Sequence, residues 1–177
     1  MQYSLTAVLP AVLACFFPLT QALPSGLASR ASIQQIADAQ NEWEHDTGSV
    51  SQFLSALPGF LGQAFEITAS AQAALIAETD ELTHKQVLDA AFGSDPRIVA
   101  ANDILVTQGK FQFVVDSLTN LQNNGASLSS EEITQLLQST NAVRCGYVLP
   151  AIDVYFRVAA EKLNNGGTLV AVRPNNC

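Results

Sequence analysis

Two Glu-x-x-His steps, Glu42-Trp43-Glu44-His45 and Glu81-Leu82-Thr83-His84, contain both histidines of the chain. On a helix, the i,i+3 spacing brings carboxylate and imidazole to one face. In di-iron carboxylate bundles, two such pairs and a lone Glu from each of two further helices hold two metal ions. The surrounding apolar pattern argues against that chemistry here. If Ile36, Trp43, Val50 and Leu57 form the buried line, His45 points nearly opposite, into solvent. His84 sits beside Thr83 and Lys85 at the edge of its own apolar stripe. The order of the motifs also departs from the usual lone-Glu-first arrangement. No metal and no cofactor are therefore expected, and both histidines should be dispensable for folding.

Other catalytic templates are absent from the sequence. There is no Gly-x-Ser-x-Gly elbow, no His-Glu-x-x-His, no phosphate-binding glycine loop and no dinucleotide fingerprint. Glu78, Asp80 and Glu81 form an acidic cluster that a glycosidase could use, but it reads as a solvated helical turn. No Asn-x-Ser/Thr sequon occurs. A metal-dependent or hydrolytic enzyme is the third reading, behind two binding roles.

The elements that would position these residues begin after a leader. Ala7 to Leu19 is an apolar run followed by Thr20-Gln21-Ala22, the pattern of a secretory signal cut after Ala22. The run is too short, and too soon interrupted by Pro18, to span a bilayer as a mature helix. The expected organisation is a signal peptide over 1–22, a flexible lead or short propeptide over 23–31, and a helical domain over 32–177. The product should be extracellular, with association to a cell wall as an option and no transmembrane anchor.

Of three cysteines, Cys15 would leave with the signal. Cys145 and Cys177 then remain in an oxidising compartment, where a single disulfide is the default. Such a closure stabilises by roughly 3–4 kcal/mol in the chain-entropy model. The net charge of −8, with scattered Lys and Arg, argues against nucleic acid as a partner.

The spacing predicts helix for most of the chain, with Phe111-Gln112-Phe113-Val114-Val115 also compatible with a strand. Ser32 offers an N-cap to a helix that ends near Pro58-Gly59, with Gly48 as a candidate break. An alanine-rich helical stretch runs from Phe60 to Phe92, with Leu75, Leu82 and either Leu88 or Phe92 facing inward. Gly93-Ser94-Asp95-Pro96 stops one helix and restarts the next. Gly109 interrupts before Phe111, Val114, Leu118 and Leu121. Ser129 and Glu132 fit a capping box. Pro150, with Gly146, should interrupt the last helix. Thr168 to Val172 reads as an extended tail over the bundle, pinned by Cys177. The fold class is thus all-α, one bundle of five or six helices.

Trp43, Ala74, Ala77, Phe111, Phe113 and Leu118 are the candidate lining of the apolar interior. Large and small residues either interlock as a solid core or enclose a ligand cavity. Ala74→Phe would overpack the first and block the second.

The segment Asn141-Ala142-Val143-Arg144-Cys145-Gly146-Tyr147-Val148-Leu149-Pro150-Ala151-Ile152-Asp153-Val154-Tyr155-Phe156, with the leader, the alanine-rich helices and the terminal disulfide, is similar to small secreted proteins of filamentous ascomycetes. In architecture the chain also resembles the fungal hydrophobic-surface-binding and cell-wall mannoprotein family, whose members attach to apolar surfaces or hold lipids. These resemblances carry no catalytic residues over. They imply a non-enzymatic, effector-like protein that binds a protein, cell wall or host surface. A lipid- or hydrophobic-surface-binding carrier is the alternative.

Overall fold

A computed structural model describes residues 31–164 and 167–177. The signal-peptide region 1–22 lies outside the described residues, as does the lead up to Arg30. The elements are α1 (Ile33–Ala56), a 3-10 turn (Leu57–Phe60), α2 (Ala64–Phe92), α3 (Pro96–Asn102), a π segment (Asp103–Thr107), α4 (Lys110–Asn124), α5 (Ser130–Val143), a second π segment (Arg144–Val148) and α6 (Leu149–Leu163). No strand occurs among the described residues. The second π segment joins α5 and α6 into one rod. Four long rods therefore carry the bundle, slightly fewer than the five or six helices expected.

The helix boundaries follow from side-chain chemistry. Ser32 caps α1 by accepting the Gln35 N–H, while the Gln35 side chain accepts the Ser32 N–H. Two orphan donors are thereby satisfied at one end. Ser129 and Glu132 form the same reciprocal box on α5. Asp95 caps α3, and Pro96 occupies its first turn. Gly109 adopts φ 66°, a left-handed conformation that suits glycine, and separates the first π segment from α4. Helix α1 runs unbroken through Gly48. Burial of Trp43, Thr47, Val50 and Leu54 on both sides outweighs a glycine penalty of about 1 kcal/mol.

Trp43 is fully buried. Its ring centroid lies 5.2 Å from Tyr155 and 5.8 Å from Phe156, the latter edge-on. Phe111, Val114, Leu118 and Leu121 form the buried line of α4. Phe113 is corrected to the outside, where it is 38% exposed. Two residues advance a helix by about 200°, so Phe113 cannot share a face with Phe111. Leu82 is likewise exposed, whereas Leu88 and Phe92 face inward.

Cys145 and Cys177 are joined, as expected. The tail pinned by this bond is extended but pairs with no strand; side chains satisfy its backbone instead. The Val172 N–H donates to Thr47 Oγ1 at 3.0 Å, and the Ser51 hydroxyl donates to the Val172 carbonyl at 2.6 Å. The Asn175 N–H donates to Ser55 Oγ at 3.0 Å. Thr47, Ser51 and Ser55 recur at four-residue steps on α1, forming a polar rail under the tail. From α6, Asp153 accepts the Ala171 N–H at 2.8 Å. No helix among the described residues is long and apolar enough to cross a membrane.

Candidate functional site

Helices α1 and α2 lie side by side, joined through the 3-10 turn, and leave a groove of about 510 Å³ open to solvent. Its walls include Phe53, Ala56 and Phe60 on one side and Ala73, Ala74, Ile76 and Ala77 on the other. The three alanines of α2 present only methyl groups where larger residues would fill the space. Ala74 and Ala77 are themselves buried, and Ala73 is exposed on the groove wall. The alanines thus shape an external groove. The apolar interior closes around Trp43, Phe111, Leu118 and their neighbours in one continuous core.

Beyond the alanines, α2 carries charge into that interior. Glu78 and Glu81 are fully buried, which corrects their reading as a solvated turn. Arg144, equally buried, donates from Nη1 to Glu78 Oε2 at 2.6 Å. Its Nη2 donates to the Thr47 carbonyl at 3.2 Å and to Glu81 Oε1 at 3.4 Å. Trp43 Nε1 donates to Glu81 Oε2 at 2.8 Å. Burial raises both carboxyls above the usual glutamate range. At Glu81 the Glu78 charge adds to that rise, while Arg144 pulls both down. Glu78 Oε1 and Arg144 Nε have no hydrogen-bond partner.

Two features explain this placement. Ile67, Ala71, Ala74, Glu78, Glu81, Lys85, Leu88 and Phe92 all belong to the buried set of α2, so charged residues occupy core positions on a continuous helix. Arg144 opens the π segment, where an extra residue per turn shifts the register of side chains along the rod. Pro150 lies just downstream and lacks the N–H that a regular helix would aim at Gly146. On sequence alone Arg144 is one of several scattered cations. Its isolation among Val143, Cys145, Gly146, Tyr147 and Val148 is the signal that sets it apart.

A second polar group on α2 stabilises its C-terminal half. Lys85 is buried and pairs with Asp89 at 2.6 Å, and its Nζ lies 5.6 Å from the Tyr155 ring centroid. The Tyr155 hydroxyl donates to Asp89 at 2.8 Å. Burial, reinforced by Asp89, pushes the Tyr155 hydroxyl well above its ordinary range.

The two Glu-x-x-His steps do not converge. His45 is exposed, as is Glu42. Glu81 turns into the Arg144 cluster, while His84 faces α1 across the helix pair. There His84 Nε2 lies 3.2 Å from Asp46 Oδ2 and 3.8 Å from Asp80 Oδ2. Burial raises the Asp46 carboxyl; His84 opposes that rise and Asp80 adds to it. Asp46 and Asp80 also line the groove, giving it an acidic end. Asp46 carries no signal in the sequence, because only the fold brings it opposite His84. Comparison with protein-family models, curated proteins and solved structures found no match.

Proposed function

We propose that this chain is a secreted, non-enzymatic helical protein, of the effector-like kind its sequence resembles, that acts by binding a protein partner through the α1/α2 groove. The observation that carries this reading is the groove itself: apolar walls of Phe53, Phe60 and Ile76, alanine-shaped space between them, and Asp46 and Asp80 at one end. Such a surface suits a row of apolar side chains flanked by a basic residue, with the carboxylates supplying charge complementarity. Exposed Phe65 and Ile76 extend apolar character along α2.

An acyl-chain carrier is the second reading, favoured by the same apolar walls. An open groove covers a ligand on one side, whereas carriers enclose most of the ligand surface. The carboxylates would also repel a fatty-acid headgroup. Both points favour the protein-binding role.

The test uses Ala73→Trp, which fills the groove from an exposed position. A fluorescent amphipathic peptide bearing Leu, Phe and Lys should bind the wild type, and its Glu-for-Lys counterpart should not. Ala73→Trp should weaken the Lys peptide at least about tenfold, equivalent to ~1.4 kcal/mol. Equal binding of both peptides, or none, removes the groove as a contact surface. A stoichiometric acyl chain in lipid extracts of wild type, lost in Ala73→Trp, establishes the carrier instead.

A further inference from the structure

We propose that Asp46, Asp80 and His84 form a binding site for one divalent transition-metal ion, with zinc the ion this donor set suits best. The site shares Asp46 and Asp80 with the acidic end of the groove, so the charge complementarity described above belongs to the metal-free protein, and it departs from the sequence expectation that His84 has no part in metal binding.

Two helices build the site. Asp80 and His84 are one turn apart on α2, at the i,i+4 spacing that puts two ligands on one face. Asp46 reaches them from α1. One potential ligand atom from each lies within 4.8 Å of the others. In a tetrahedral zinc site with bonds of about 2.0–2.1 Å, donor atoms sit roughly 3.3 Å apart. The His84–Asp46 separation of 3.2 Å already matches that edge, and the His84–Asp80 separation of 3.8 Å is close to it. Asp80 is more than half exposed, so its carboxylate is free to close the remaining gap by rotation.

The contacts within the cluster leave one buried carboxylate oxygen unsatisfied. Asp46 Oδ2 is sealed from solvent and has no hydrogen-bond partner, although His84 Nε2 is only 3.2 Å away. The imidazole is within ion-pair distance of that oxygen. A ring nitrogen and a buried carboxylate oxygen brought this close from two facing helices are placed to serve as two ligands of one ion.

Charge points the same way. Asp46 is close enough for its field to reach Glu78 and Glu81. Asp46 and Asp80 themselves bring two carboxyl groups to one imidazole. A divalent cation at Asp46 and Asp80 offsets that excess. One imidazole with two carboxylates favours a borderline ion over calcium or magnesium, which prefer oxygen ligands throughout. Three protein ligands leave a fourth position, next to the groove, for water or a donor atom of a bound molecule.

The test uses the full chain, stripped of metal by chelator and titrated with zinc chloride in a calorimeter. One zinc should bind per chain. His84→Ala should weaken binding at least about tenfold, and so should Asp80→Asn, whose exposed side chain can change without unfolding the protein. His45→Gln, whose largely exposed ring lies 3.8 Å from the other Asp46 oxygen and supplies no ligand to the cluster, should bind within a few-fold of wild type. Cobalt(II) should give visible absorption that is absent in His84→Ala, and calcium should bind more weakly than zinc. Ala73→Trp should retain the full zinc stoichiometry, which separates this inference from the groove reading. The proposal is overturned by an absence of saturable zinc binding, by equal loss in His45→Gln and His84→Ala, or by calcium binding as tightly as zinc.

Discussion

Arg144→Met is the most informative perturbation of this fold. It removes a guanidinium that donates to Glu78 at 2.6 Å, to the Thr47 carbonyl at 3.2 Å and to Glu81 at 3.4 Å, all without solvent. Methionine nearly fills the volume, so cavity formation contributes little. The dominant cost is two carboxyls left buried without a cation, for which breaking one side of a buried pair gives about 3–5 kcal/mol. The melting temperature should fall by roughly 10–20 °C for a domain of this size. The loss should also depend on pH. Both carboxyls already sit above the ordinary glutamate range because of burial, and Arg144 is what restrains them. A carboxyl raised in the folded state stabilises below its unfolded pKa, and that contribution is lost as pH rises through the folded value. Without Arg144 the rise is larger, so the variant should approach wild type near about pH 4–5 and fall furthest behind at about pH 7–8. Thermal unfolding followed by circular dichroism across that range reads both effects. Adding Glu78→Leu and Glu81→Gln to Arg144→Met should recover most of the loss, because the second change keeps a side-chain oxygen that accepts from Trp43. A drop of a few degrees that is the same at every pH would refute the reasoning and mean that the buried charges are not coupled as the distances imply.

Trp43→Ala should cost about 3–5 kcal/mol, the range for deleting a large core aromatic, and it also strips Glu81 of a donor; urea unfolding measures it. Native tryptophan emission should be blue-shifted and resistant to acrylamide, since Trp43 is the sole tryptophan and is fully buried. Cys177→Ser should speed amide exchange at Ala171, Val172 and Asn175 far more than in α4, because it frees the tail while the bundle core persists. Gly125→Ala should destabilise by about 1–3 kcal/mol, since its new methyl would meet Ile67 Cγ2 at 2.6 Å and the Leu121 carbonyl oxygen at 2.4 Å. Chemical denaturation that leaves this variant unchanged would show that α4 can move away from α2 at no cost.

The sequence announces its helix ends through local chemistry. Ser32, Asp95-Pro96 and Ser129 with Glu132 act within a single turn, so their meaning does not depend on the rest of the fold. The pairing of Cys145 with Cys177 was legible by elimination. Contents of the interior were less so. Hydropathy sends Glu78 and Glu81 outward, because only a distant partner, Arg144, makes their burial tolerable. The Thr47, Ser51 and Ser55 rail was hidden for a related reason: three small polar residues on a helix look like surface until a tail needs hydrogen bonds from them. Phe113 erred in the other direction, because an apolar side chain two residues from Phe111 cannot share its face. The cluster of Asp46, Asp80 and His84 depends on the way α1 lies against α2, which no local spacing encodes.

The disulfide also determines where mechanical load enters the molecule. Cys145 and Cys177 enclose a 32-residue separation that includes α6 and the tail. Tension applied at Cys177 passes through the covalent bond to Cys145 and then into the rod beside Arg144. Helix α6 sits in a closed loop, parallel to that path, and is shielded from the pull. Pulled at Cys177, the protein would yield first where α5 meets the bundle, while Tyr155 and Phe156, inside the closed loop, carry no tension along their own backbone until the bond is reduced.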